Sequence, residues 1–204
     1  MSVQPIFFKS GPLNLEGLLF RGNSEKAVVI SHPHPLYGGD MENYVVSLIS
    51  RAFEASDWTT LRFNFRGVGR SQGEFDRGAG ETEDVSAAVA YLKALGLQHI
   101  VLAGYSFGAW VDARAALTCP DIQGSILVSP PVGMMDFSFL AGDEKTRLVI
   151  AGDADPYAPE VRVRNLVQSL PTSPMIKIIK GADHFYSYGA EELMEAVKMI
   201  LPQL

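Results

Sequence analysis

The sequence predicts an α/β fold with a mostly parallel central sheet, and three observations carry that expectation. Short apolar runs rich in β-branched residues alternate with longer amphipathic segments almost from end to end, which is the pattern of buried strands and covering helices. Two runs near the N-terminus are joined by Ser10-Gly11-Pro12, which reads as a β-hairpin. Hydrophobic residues make up 47% of the 204 positions and charged residues 20%, ample material for one buried core. The whole chain, 1–204, is expected to form a single domain, because compact domains commonly reach roughly 250 residues.

The elements follow in order. The hairpin strands fall at 6–9 and 13–20. Apolar runs at 27–31, 58–64, 99–105, 125–129, 147–151 and 175–180 are too short for helices and too uniformly apolar for one-sided strands, so they read as buried parallel strands. Between them, 43–56, 81–95, 109–118, 160–169 and 190–200 space their apolar residues three and four apart, as helices covering both sheet faces do. The crossover at 130–146 carries Pro130-Pro131, Gly133 and Gly142. It has room for a turn or a very short helix and not for a sizeable lid.

Charge and composition exclude several function classes. A net charge of −6 without a basic cluster argues against nucleic acid, whose counterions are displaced by grouped Lys and Arg. The first residues, MSVQPIFFKSGPLNLEG, lack the basic, apolar and small-residue regions of an export signal, and no run approaches ~18 apolar residues. A cytoplasmic protein that avoids membranes is expected. The one cysteine, Cys119, precludes an intramolecular disulfide and a cysteine zinc cage. It reads as a half-buried thiol at a helix end.

The strongest chemical motif is Gly104-Tyr105-Ser106-Phe107-Gly108, directly after an apolar strand and directly before a helical segment. That context is required of a nucleophile elbow, a strained strand-to-helix turn that lifts a serine hydroxyl clear of the sheet. Alone, a serine in such a turn would read as a helix cap. Ser106 is the predicted nucleophile. The main-chain N–H of Phe107, at the positive end of the helix, is a predicted oxyanion donor.

A serine hydroxyl needs an imidazole to take its proton. Of the four histidines, His99 opens the strand that leads to the elbow and lies more than ~15 Å from Ser106 at the strand rise. His184, in Gly181-Ala182-Asp183-His184-Phe185, leaves the last strand at the same sheet edge as the elbow. It is the predicted base. The orienting acid falls among Asp153, Asp155 and Asp183, with Asp183 badly placed beside the histidine. The first two lie on the loop after the preceding strand, which gives the chain order Ser, Asp, His.

The segment His32-Pro33-His34-Pro35-Leu36-Tyr37-Gly38-Gly39 occupies the place of the second oxyanion donor. Pro33 and Pro35 have no N–H to give. The His34 amide is the first choice, with Leu36 and Tyr37 behind it, and the His32 and His34 rings are expected to brace the loop rather than bind a metal. Residues 63–73 hold several glycines without the Lys-Ser/Thr ending of a phosphate loop, so they read as a tight turn. Arg66 there is expected to pair with Glu81 or Asp84. Tyr37, Tyr105, Phe107, Phe185, Tyr186 and the aromatic and methionine residues of 134–139 are candidate pocket walls.

Taken together, HPHPLYGGDMEN, RFNFRGVGRSQGEFDRGAGETED, GYSFG, GDADPYAP and GADHFY give a chain that resembles a bacterial family of small α/β-superfamily hydrolases without a cap domain. The resemblance spans nearly the whole sequence. It implies the α/β-hydrolase fold, an open shallow site, and a triad of Ser106, His184 and Asp155, the choice of Asp155 over Asp153 coming from the resemblance. It also implies two-step acyl transfer on a small acyl substrate, a short-chain ester or thioester, with no cofactor. The competing functions are a peptidase using the same triad and a binding protein that keeps the fold without the chemistry.

Overall fold

A computed structural model describes residues 2–204. The hairpin is β1 (Gln4–Ser10) and β2 (Leu13–Phe20), antiparallel from Gln4 opposite Leu19 to Ser10 opposite Leu13. After it come β3 (Lys26–Ser31), α1 (Tyr44–Glu54), β4 (Thr59–Phe63), α2 (Ala79–Ala94), β5 (His99–Tyr105), α3 (Phe107–Thr118) and β6 (Ile122–Val128). β7 (Thr146–Gly152), α4 (Glu160–Ser169), β8 (Met175–Ile179) and α5 (Ala190–Ile200) complete the chain. The strands form one sheet in the order β1-β2-β4-β3-β5-β6-β7-β8, with β3 to β8 parallel and β2 antiparallel to β4. This is the α/β-hydrolase architecture that the motifs imply, and the crossover from β6 to β7 holds only a single 3₁₀ segment, Ser138–Gly142.

Period-two side-chain alternation divides the core into two layers. Val28, Ile30, Val101 and Ala103 face α1 and α5, while Ala27, Val29, Ile100 and Leu102 face α2 and α3. Leu127 and Val149 continue the second layer toward α4. Local signals start the helices: the Asn43 side chain accepts from the Val45 amide at 2.9 Å, and Glu81 reaches back to the Gly78 amide at 2.6 Å. β6 begins at Ile122, earlier than its apolar run suggests, because polar Gln123 sits at a shift in register. Its side chain accepts from the Ile100 amide at 2.7 Å and so stands in for a missing ladder bond.

The strand order reverses at β3, whose neighbours are β4 on one side and β5 on the other. Ser31 at the end of β3 lies opposite Gly104 near the end of β5. The loops leaving these two strands therefore emerge side by side, which is where open α/β sheets bind ligands. Among the described residues no helix is long and apolar enough to cross a membrane.

The glycine-rich turn over 63–73 is structural, and it ties the hairpin to the site loop. Asn64 donates to Glu16 at 2.8 Å and accepts from the Met41 amide at 2.8 Å, while Arg70 Nε donates to Glu16 at 2.8 Å. Arg66 pairs with Asp84 and not with Glu81, whose carboxylate is occupied by the Asp76 and Gly78 amides. Asp84 is fully buried and accepts from Ser10 Oγ at 2.7 Å, from the Arg66 amide at 3.0 Å and from its guanidinium at 2.8 and 3.1 Å. Removing the guanidinium strands that carboxylate in a low-dielectric interior. Arg66→Ala is expected to lower the unfolding free energy by about 3 kcal/mol or more, whereas loss of the exposed Lys198–Glu195 pair costs under about 1 kcal/mol. Urea denaturation of both variants measures the difference, and equal losses would contradict it.

Candidate active site

The turn between β5 and α3 is built by close approach. A Cβ on Gly104 would lie 2.4 Å from the backbone of Gly108, and one on Gly108 would lie 2.4 Å from the carbonyl of Ser31. Neither glycine has positive φ; the strained residue is Ser106 itself, at φ 56° and ψ −118°. Strain of this kind costs about 1–3 kcal/mol and persists only where packing dictates it. Packing does so here: the Ser106 amide is held by Val128 O at 2.9 Å, and its carbonyl accepts from the Ala109 amide at 3.0 Å.

The loop after β8 brings His184 to the serine, with Nε2 3.0 Å from Ser106 Oγ. Nδ1 lies 2.7 Å from Asp155 Oδ2. An ionised carboxylate only accepts, so Nδ1 carries the proton and Nε2 is free to accept from the serine hydroxyl. The other Asp155 oxygen accepts from the Tyr157 amide at 2.9 Å and the Ala158 amide at 3.0 Å. Burial acts to raise the Asp155 pKa, but hydrogen bonding and charge from His184, with smaller help from the Ala158 amide and Ser129, outweigh it and leave the pKa below the ordinary carboxylate value. The loop is anchored by Tyr105, whose hydroxyl donates to the His184 carbonyl at 2.8 Å.

The rival acids are engaged elsewhere. Asp153 accepts from the Gly181 amide at 2.6 Å, and Asp183 holds the amide and hydroxyl of Ser187 at 2.9 and 2.8 Å. His99 lies at the far end of β5, near Trp58.

The loop after β3 places His34 against Phe107, ring centroids 4.8 Å apart. The Leu36 amide donates to His34 Nδ1 at 3.2 Å and the Tyr37 amide to the His34 carbonyl at 3.0 Å. Both amides are thus committed within the loop. Those of His34 and Phe107 have no acceptor among the described residues. His32 braces the segment: its Nε2 accepts from the Phe65 amide at 3.1 Å, which leaves the proton on Nδ1 to donate to the Pro33 carbonyl at 2.6 Å. Pro33 C=O and His34 N–H belong to one planar peptide unit, so this bond also aims the His34 N–H. Burial pushes the His32 pKa down to about 4 and keeps the ring neutral.

These residues surround a cavity of about 500 Å³, walled by Tyr37, Tyr105, Phe107, Met134, Tyr157 and Phe185 among others, with no Asp, Glu, Lys or Arg in its lining. Phe137 and Phe139, candidate wall residues, instead pack in and against the α3–α4 core, and Tyr186 is buried behind the site. Sequence reasoning missed Tyr157 and Asn43 in the lining. It also missed the wholly buried Asp112, which accepts from Ser31 Oγ at 2.5 Å. Its one available signal was a lone acid on the helix that follows the elbow.

Known proteins share this arrangement of the chain. An uncharacterised protein of Rickettsia prowazekii (strain Madrid E) is 37% identical in an alignment 204 positions long that covers 94% of this chain and 86% of that protein. A solved α-β serine hydrolase homologue from Coxiella burnetii is 33% identical and superposes with a TM-score of 0.92 over 98% of each chain. A Xanthomonas campestris protein, described as a serine hydrolase without a lid, is 30% identical with a TM-score of 0.91, covering all of this chain and 95% of its own. The model of the alpha/beta hydrolase family matches residues 28–161, and the chain belongs to that family.

Proposed function

We propose that the chain is a serine hydrolase of the carboxylesterase kind, acting on a small or short-chain ester or thioester through an acyl-enzyme. The observation that carries this reading is the continuous line from Asp155 to His184 to Ser106, 2.7 and 3.0 Å, ending at a serine that opens into an uncharged cavity. His184 Nε2 takes the Ser106 proton as Oγ attacks the carbonyl carbon. The oxyanion forms between the free amides of Phe107 and His34. His184 then returns the proton to the leaving alcohol or thiol. In the second step it takes a proton from water, which attacks the acyl-enzyme, and Ser106 leaves as the hydroxyl.

Asp155 stays ionised throughout. It fixes the imidazole tautomer and stabilises the imidazolium that forms when the serine loses its proton. The absence of ionised side chains from the lining favours an uncharged substrate near the scissile bond, because an ion entering there would lose water without gaining a partner. A cavity of about 500 Å³ with no lid over it suits a compact acyl group better than a long chain.

Ser106→Ala is expected to reduce hydrolysis of p-nitrophenyl acetate by roughly a thousandfold or more with the fold retained. Stopped-assay rates beside a circular dichroism spectrum measure this, and undiminished activity would remove Ser106 from the reaction. Asp155→Asn is expected to cut kcat by roughly 10⁴-fold. Asp153→Asn, which keeps an oxygen to accept from the Gly181 amide, is expected to stay within about tenfold of wild type. The reverse ranking would assign the acid role to Asp153.

A further inference from the structure

The two sides of the cavity differ in chemistry. β5, which carries the elbow, has β3 on one side of it in the sheet and β6, β7 and β8 on the other. The connections on the β6–β8 side contribute Pro131, Met134, Met135, Tyr157 and Phe185, a largely apolar wall. The connection from β3 to α1 contributes Tyr37, His34 and Asn43. Tyr37 stands out into solvent, 82% exposed. The Asn43 side chain and the His34 ring have no part in the acyl transfer proposed above.

Asn43 is the N-cap of α1, and its Oδ1 accepts from the Val45 amide at 2.9 Å. That bond fixes which end of the side-chain amide faces the helix and turns Nδ2 away from it. Nδ2 has no acceptor among the described residues. Nor is it one of the buried polar atoms left without a partner, which are His99 Nε2 and Asp112 Oδ2, so it is open to solvent. Capping alone does not call for an amide, since Asp and Ser cap as well as Asn, and the positive end of the helix would favour Asp. Asn adds a donor without a charge.

His34 offers the same chemistry from the same connection. Its Nδ1 accepts from the Leu36 amide at 3.2 Å, which leaves the proton on Nε2. Nε2 likewise has no acceptor among the described residues and is not buried without a partner. Burial lowers the pKa of the ring and favours its neutral form. The rings of Tyr37, Phe75 and Phe107, with centroids 4.7, 4.9 and 4.8 Å away, hold it in place. With no Asp, Glu, Lys or Arg in the lining, these N–H groups suit a neutral oxygen, whereas a carboxylate or phosphate would enter without a cation to pair with.

We infer that Asn43 is a specificity-determining residue whose Nδ2 donates to a second, uncharged acceptor oxygen of the substrate, so that the preferred ester carries an ether, hydroxyl or carbonyl oxygen besides its scissile group. His34 Nε2 is the other donor of this subsite. An oxygen placed against the apolar wall alone loses water and gains no partner; placed against Asn43 it exchanges one hydrogen bond for another. This inference rests on the reading of the cavity as the substrate site of a serine hydrolase and names the class of ester that site selects.

The test uses two pairs of esters matched in shape, each with one methylene exchanged for oxygen. Ethyl methoxyacetate against ethyl butyrate puts the extra oxygen on the acyl side, and 2-methoxyethyl acetate against butyl acetate puts it on the alcohol side. Hydrolysis is followed by pH-stat on wild type, Asn43→Ser and Asn43→Asp, both of which keep a cap for α1, with thermal midpoints as the check on folding. Comparing the ratio of kcat/KM within a pair between variant and wild type cancels the intrinsic reactivity of each ester. For at least one pair the preference for the oxygenated member is expected to fall about fivefold in Asn43→Ser, whose shorter hydroxyl stays at the cap. It is expected to fall further in Asn43→Asp, which presents only acceptors. The loss is expected in KM rather than kcat, because the bond is already made in the bound ester. Unchanged ratios in both pairs would overturn the inference and leave Asn43 a helix cap. The same esters titrated onto Ser106→Ala, with the Asn43 side-chain amide followed by NMR, read the subsite without turnover. The oxygenated ester of the selected pair is expected to shift those amide protons and its carbon analogue to leave them in place, and equal shifts would overturn the inference. A wild type that hydrolyses none of the four esters would overturn the triad reading instead, and the NMR titration would still decide the subsite.

Discussion

The structure turns on how closely the first turn of α3 approaches the end of β3. With Gly108 packed against the Ser31 carbonyl, the chain leaving β5 has no room for an ordinary connection, and the bend is concentrated in Ser106 at φ 56°. The same approach brings Phe107 against His34, ring centroids 4.8 Å apart, so Ser106 and the loop after β3 are set by one packing constraint. Asp112 reinforces it from within α3 through its 2.5 Å bond from Ser31 Oγ. Burial raises the Asp112 carboxyl well above its ordinary value, against the Ser31 bond that lowers it, so burial disfavours the charged form of the acid that joins helix to strand.

Around this junction charge is confined to one place. His32 is held neutral by burial, burial disfavours the charged form of Asp112, and the cavity lining carries no Asp, Glu, Lys or Arg. Asp155 is the buried group near the serine that keeps its charge, because amides and an imidazole N–H surround it. In the reaction we propose, that anion behind the imidazole raises the affinity of the imidazole for the serine proton at the moment of attack. The surrounding wall is aromatic and apolar, which strengthens the effect by excluding water.

Much of this was legible in the sequence, for physical reasons that differ by feature. The apolar runs at 27–31 and 99–105 announced β3 and β5 because strands buried on both faces tolerate little else. Ser106 and His184 were legible because the fold puts both at the carboxyl edge of the sheet. The glycines of the elbow were recognised correctly, but their reason, close approach rather than positive φ, needed three dimensions. Arg66 was expected to find an acid on the following helix, yet the choice of Asp84 over Glu81 was decided by the N-terminal turn of α2, where Glu81 was needed as a cap. Asp112 left no local pattern, since it meets Ser31 across 81 positions of chain. Phe137 and Phe139 were misread as wall residues because an aromatic side chain in a loop carries no mark of which way it will face.

The account stands or falls on whether Ser106 is an activated nucleophile. The direct measurement is intact-mass spectrometry after incubation with a fluorophosphonate, with peptide mapping, on wild type and His184→Ala. The account predicts one adduct, formed as Ser106 Oγ bonds to phosphorus and fluoride leaves, and an adduct rate reduced roughly a hundredfold or more in the variant. No adduct, or an adduct on Ser106 that forms as fast without His184, would contradict it.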